Sequence, residues 1–109
     1  MKLESDFQAW LIKELKKRFP GCYVLKLDSG YLQGIPDLLI LFEDRWAILE
    51  VKRKPPTKPS DFEPNQEWYL EQFNEMSFAD CVYPENVEEV LDGVQHALQA
   101  NRRSRISQR

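Results

Sequence analysis

Two apolar runs broken by three polar residues constrain this chain more than any other feature. Leu38–Phe42 and Trp46–Leu49 flank Glu43, Asp44 and Arg45. Short, apolar on both faces and interrupted by a tight reversal, they predict a β-hairpin inside a sheet. With the turn centred between Glu43 and Asp44, the antiparallel register follows by counting: Phe42 opposes Arg45, Ile40 opposes Ala47, and Asp37 opposes Glu50. Opposed side chains on one face have Cβ atoms ~4.5–5.5 Å apart. Lys52, two residues beyond Glu50, projects from that same face. Two carboxylates and one ammonium therefore converge at one end of the hairpin. A bulge or an odd-length loop would shift the register by one and send the two acids to opposite faces.

Buried charges are costly unless paired or bound to a metal. Lys52 can neutralise one carboxylate, and the second needs another counter-charge. One reading is a partly exposed ion-pair cluster at a strand end. The other is a divalent cation held by both acids, for which hard oxygen ligands suit Mg²⁺. Three charged groups on one face amid Leu39, Leu41, Trp46 and Ile48 favour the cation.

The residues around this hairpin carry a family resemblance. Pro36-Asp37, twelve intervening residues, then Glu50-Val51-Lys52 resembles the PD-(D/E)xK nuclease signature. Gly34-Ile35-Pro36-Asp37 followed by Glu50-Val51-Lys52-Arg53 most resembles its virus-type replication-repair (VRR-NUC) branch, over roughly residues 4 to 84. The resemblance implies a restriction-endonuclease-like α/β/α core and a Mg²⁺-dependent endonuclease, with Mn²⁺ able to substitute, that hydrolyses DNA to a 5′-phosphate and a 3′-hydroxyl. It implies that Asp37 and Glu50 hold the metal, with the Val51 carbonyl and Glu4 as further ligands. Lys52 would then orient the attacking water, and Gln66 would support the arrangement. Compact members of the branch resemble homodimeric junction resolvases. That likeness implies a phage- or bacterium-encoded homodimer acting on branched DNA in recombination or repair. Two rivals stand beside it: a noncatalytic nucleic-acid-binding module of the same fold, and an interaction protein whose acidic face mimics DNA.

The rest of the chain predicts what surrounds the hairpin. Leu3, Phe7, Trp10, Leu11, Leu15 and Phe19 recur at spacings of three and four, so residues 3–18 form an amphipathic helix, with Ser5 and Gln8 as a capping box. Glu4 falls on the Phe7/Leu11 stripe, towards the core; it is also where a solvated first-turn acid would complement the helix dipole. Lys13, Lys16, Lys17 and Arg18 form a basic outer face. A strand follows over 22–27, and the stiff basic stretch 53–59 reads as an extended loop at the edge of the candidate site. Residues 64–76 predict a second helix with Gln66 as the polar intruder on its apolar stripe. A strand over 78–83 and a helix running to Leu98 complete the order αβββαβα. Strands apolar on both faces need helices on both sides. The expected architecture is therefore a three-layer α/β/α domain over residues 1–100, with a mixed four-stranded sheet whose third and fourth strands are parallel across a helical crossover.

The net charge of −3 hides a segregation. Residues 1–58 carry eleven Lys/Arg against eight Asp/Glu, residues 59–101 carry ten acids and no Lys or Arg, and residues 101–109 form a basic tail, expected to be flexible, with four arginines. Binding to DNA depends on local charge, and Lys26, Ser29, Arg53, Lys54 and Lys58 are the candidate phosphate contacts near the hairpin. Trp68 is a candidate for stacking on a base or packing on a second subunit. Cys22 and Cys81, far apart and without a CxxC spacing, read as reduced, inert core thiols. The sole histidine, His96, is remote in sequence from the hairpin. No Walker loop, zinc spacing or organic-cofactor motif occurs. No apolar run approaches the ~20 residues of a membrane span, and the first residues lack a signal-peptide core, so a cytoplasmic location is expected.

Overall fold

A computed structural model of the chain describes residues 3–99; the basic tail expected over 101–109 lies outside the described residues. Seven principal elements follow in order: α1 (Glu4–Arg18), β1 (Tyr23–Lys26), β2 (Leu38–Phe42), β3 (Arg45–Val51), α2 (Gln66–Met76), β4 (Phe78–Val82) and α3 (Val87–Gln99). The strands form one mixed sheet in the order β1-β2-β3-β4. The first two pairings are antiparallel and the last is parallel. This is the α/β arrangement of four strands and three helices expected from the pattern. Among the described residues no helix is long and apolar enough to cross a membrane.

The hairpin register is the one obtained by counting. Phe42 pairs with Arg45 and Ile40 with Ala47. Glu43 takes the left-handed conformation (φ 58°) that reverses the chain in two residues. An even loop preserves parity, so alternate residues sort cleanly between the faces. On one face Leu38, Ile40, Ala47, Leu49, Val51 and Val82 pack with Phe7, Leu11 and Leu15 of α1 and with Val90, Leu91, Val94 and Leu98 of α3 in a single buried core. Each of these side chains larger than alanine contributes roughly 1.5–3 kcal/mol through burial. On the other face, Trp46 meets Phe73 of α2 edge-on at 6.1 Å between ring centroids. Glu50 meets Gln66 there as well.

Local differences from expectation each have a cause. β3 runs beyond the apolar stretch ending at Leu49, because Glu50 and Val51 pair with Cys81 and Val82 of β4. Ser5 and Gln8 form no capping box. The helix runs from Glu4, with extended Leu3 at its cap and no side-chain cap bond, so Ser5 already lies inside it. The first strand is two residues shorter than predicted and α2 starts two residues later, after Asn65 in a left-handed conformation (φ 73°). The stretch 53–59 is not extended throughout. It leads into a short 3-10 turn, Pro59–Asp61, where Asp61 Oδ2 accepts hydrogen bonds from the amides of Thr57 (2.8 Å) and Lys58 (3.2 Å). The Thr57 amide, above all, holds the Asp61 carboxyl below its usual range.

Gly34 couples the approach to β2 with the start of α2. Its φ is 89°, and a Cβ there would collide with the Pro64 carbonyl oxygen and crowd Asn65. Only glycine tolerates both the conformation and the contact. Gly34→Ala is expected to cost at least about 1–3 kcal/mol in a denaturant titration, and to push the Gln66 end of α2 away from the sheet.

Candidate metal centre

Asp37 immediately precedes β2 and Glu50 lies near the end of β3; continuing the observed register sets them opposite one another. Asp37 Oδ2 accepts the Val51 amide at 2.8 Å, so the first acid is pinned to the backbone beside the second. Glu50 is only 3% exposed. Its Oε2 accepts a hydrogen bond from Gln66 Nε2 at 2.8 Å and forms an ion pair with Lys52 Nζ at 3.4 Å. Lys52 Nζ also donates to Gln66 Oε1 at 3.3 Å, and that oxygen accepts the Glu63 amide at 2.9 Å. The Gln66 amide is thus oriented by its neighbours: donor towards the carboxylate, acceptor towards the ammonium. Phe62 supplies a further wall, its ring centroid 5.5 Å from Lys52 Nζ, a favourable cation–π position.

The electrostatics follow from this crowding. Burial, reinforced by the charge of Asp37, pushes the Glu50 carboxyl up to about 8 against the opposing effects of Lys52 and Gln66. Burial also raises Asp37, opposed by the Val51 amide, by a hydrogen bond with Glu50 and by the charge of Lys52. Two carboxyl groups this close do not readily carry two negative charges, so burial and mutual repulsion favour a shared proton. Cys81, paired with Glu50 across β3 and β4, is buried. Burial and then the Glu50 charge push its thiol up to about 12, so it stays protonated. Both cysteines are free.

The remaining candidates separate by position. Glu4 points along the stripe of Phe7 and Leu11, yet it is exposed rather than turned into the core, because it stands in the first turn. It lines a cavity of about 280 Å³ with Lys52, Arg53, Lys54, Pro55, Pro56 and Asp61. The structure therefore gathers Glu4, Lys52, Arg53 and Lys54 around one opening. Val51 is buried, and its amide holds Asp37. Lys26, Ser29 and Lys58 are exposed and do not line that opening. Trp68 is 56% exposed and contacts Tyr69 edge-on. Phe62 and Asp61 were not singled out by pattern. The one legible signal was a lone aromatic in an otherwise polar loop.

Among the described residues no group of three or more His, Cys, Asp or Glu is placed to hold a metal ion. The donor set available is the Asp37–Glu50 pair. One observation bears on whether a cation suits it: Glu50 Oε1 is buried and accepts no hydrogen bond. A buried carboxylate oxygen without a donor is destabilising, and a hard divalent cation satisfies it with the ligand type it prefers. No protein-family model, curated protein or solved structure matches the chain.

Proposed function

We propose that the chain is a Mg²⁺-dependent endonuclease of the PD-(D/E)xK type, with the restriction-endonuclease-like α/β/α core that the motif implies. The observation that carries this reading is the pairing of half-buried Asp37 with buried Glu50, with Lys52 beside them and Glu50 Oε1 left without a donor. Asp37 and Glu50 are the residues that would hold Mg²⁺ or Mn²⁺, with Glu4 on the cavity wall and the Val51 carbonyl as supplementary oxygens. When bound, the cation polarises the phosphate and acidifies water.

The chain's own groups do the rest. Lys52, steered by Gln66 and Glu50 and shielded on one side by Phe62, holds its ammonium where negative charge grows as water attacks phosphorus. Gln66 keeps one oxygen of Glu50 occupied, which leaves Oε1 as the free coordinating position. Arg53 and Lys54, on the same opening as Lys52, receive flanking phosphates of the DNA. Products carry a 5′-phosphate and a 3′-hydroxyl. A domain with so little surface selects DNA shape over sequence, so branched DNA bound by a homodimer is the proposed substrate. Its setting would be recombination or repair in a phage or bacterial cytoplasm.

A noncatalytic nucleic-acid-binding module is the second reading, favoured by the small ligand set of two carboxylates. Two measurements decide between them. Calorimetry with Mg²⁺ and Mn²⁺ is expected to show saturable binding that Glu50→Gln abolishes. Four-way junctions, flaps and linear duplex are expected to be cut in descending order. Absence of a metal site together with absence of cleavage would leave the binding module, and equal cutting of all three would remove shape selection.

A further inference from the structure

The helices cover the two faces of the sheet unequally. On the core face α1 and α3 both pack. On the other face α2 lies over β4 and, through Phe73 and Trp46, over β3. The register places Tyr23, Leu25, Leu39 and Leu41 on that same face, along β1 and β2. There Tyr23 stays 70% and Leu25 44% exposed, with Leu39 and Leu41 half-buried beside them. An apolar sheet face is stable when a further element packs on it, and half of this one is bare among the described residues.

The second helix offers the matching surface. Its flank nearest the bare strands is apolar: Tyr69 stacks on Phe73 at 5.8 Å between ring centroids, and Met76 lines a cavity beside Arg45 and Trp46. Trp68 and Met76 remain 56% and 67% exposed. The charges match as well. Helix α2 carries Glu67, Glu71 and Glu75 and no base, whereas Lys26 ends β1 and the charge of Lys16 acts on Cys22 just before it. Such complementarity steers two surfaces together and fixes their register. Tyr23, Leu25, Trp68 and Met76 expose roughly 400–500 Å² per copy, near the upper limit for the apolar patch of a monomer. A stable dimer uses ~800 Å² per partner, and the half-buried neighbours with the charged rim supply the remainder.

We propose that two copies of the chain pair about a two-fold axis, α2 of each seating its Trp68 and Met76 side on the bare β1–β2 face of the other. One contact made twice then covers both unpartnered surfaces of both copies. Tyr23 pairs with Leu41, Leu41 with Trp46, and Met76 lies beside Trp46. An axis along the strands therefore brings Tyr23 of one copy to Met76 of the other and leaves both Asp37–Glu50 pairs at the same end of the dimer. The interface rests on the homodimer of the proposed function and gives it a geometry in which both sites face one DNA. Sedimentation equilibrium of the full chain, without DNA or metal, is expected to give twice the mass of one chain. Tyr23→Lys and Met76→Glu, both at exposed positions, are expected to keep the fold by circular dichroism and to weaken self-association at least about tenfold. Mixed in equal amounts the two variants are expected to recover the dimer, because the new ammonium of one meets the new carboxylate of the other. A wild-type chain that stays monomeric up to about 100 µM overturns the proposal, as does a dimer that both variants leave intact or a mixture that fails to pair. Should a variant not fold, hydroxyl-radical footprinting of the wild type decides: Tyr23 and Met76 lose reactivity as concentration rises, or the interface lies elsewhere. With neither DNA nor metal present, failure here removes the interface and leaves the cleavage chemistry to its own assays.

Discussion

Lys52→Ala is expected to yield a folded chain whose DNA cleavage falls by at least about 10²–10³-fold. Folding survives because Lys52 lies just past the end of β3, where its backbone amide, unaffected by the change, still donates to the Val82 carbonyl at 2.9 Å. Glu50 keeps its hydrogen bond from Gln66 and responds to the lost ammonium by holding its proton more tightly. Circular dichroism and the denaturation midpoint report the fold, and a junction-cleavage assay in Mg²⁺ or Mn²⁺ reports the chemistry. Lys52→Arg retains the charge but not the compact ammonium seated between Gln66 and Phe62, and is expected to recover little activity. Cleavage by Lys52→Ala at the wild-type rate would remove this residue from the mechanism.

Glu50→Gln is expected to make the metal-free protein more stable while abolishing metal binding. The carboxyl of Glu50 titrates at an ordinary value of 4.5 in the unfolded chain and about 8 in the folded one, chiefly through burial. Between those values the folded state carries a proton that the unfolded state has released. Stability is therefore fully present below about pH 4.5 and declines as pH rises towards 8. The decline amounts to a few kcal/mol, since each tenfold change in proton affinity is worth ~1.4 kcal/mol. Glutamine cannot ionise, so the variant should match the wild type near pH 5 and exceed it near pH 8 in urea titrations run with a chelator. Mg²⁺ should restore the wild type at pH 8 and leave the variant unchanged. Parallel pH profiles for the two proteins would show that Glu50 is not the group held under strain.

Much of this site was legible because parity does the work. Once the loop between Phe42 and Arg45 is even, Asp37, Glu50 and Lys52 share a face whatever else the chain does. Gln66 was legible as the polar intruder on an apolar stripe. Glu4 was legible only in part: the stripe gives its direction, but whether a first turn is covered depends on how far the sheet extends beneath it. The length of β3 was hidden because its last pairs, Glu50 with Cys81 and Val51 with Val82, join strands separated by a whole helix. Phe62 reaches Lys52 through a turn held by Asp61, a local hydrogen-bond pattern with no periodic signature. Arg45 read as one of three turn residues, and nothing in its neighbours along the chain announces that Nε and Nη2 of its guanidinium are buried.

The two helices at opposite ends of the described chain close over one face, and their side chains interleave in a single core: Phe7, Leu11 and Leu15 from the first, Val90, Leu91, Val94 and Leu98 from the last. During synthesis, then, the earliest apolar stripe must wait for the latest before it is sealed. Until Leu98 clears the ribosome, a nascent copy carries an open greasy flank even if its acidic pocket has already assembled. Shortening α3 by a turn from its far end should thus leave that flank unsealed and destabilise the fold, without removing Asp37, Glu50 or Lys52.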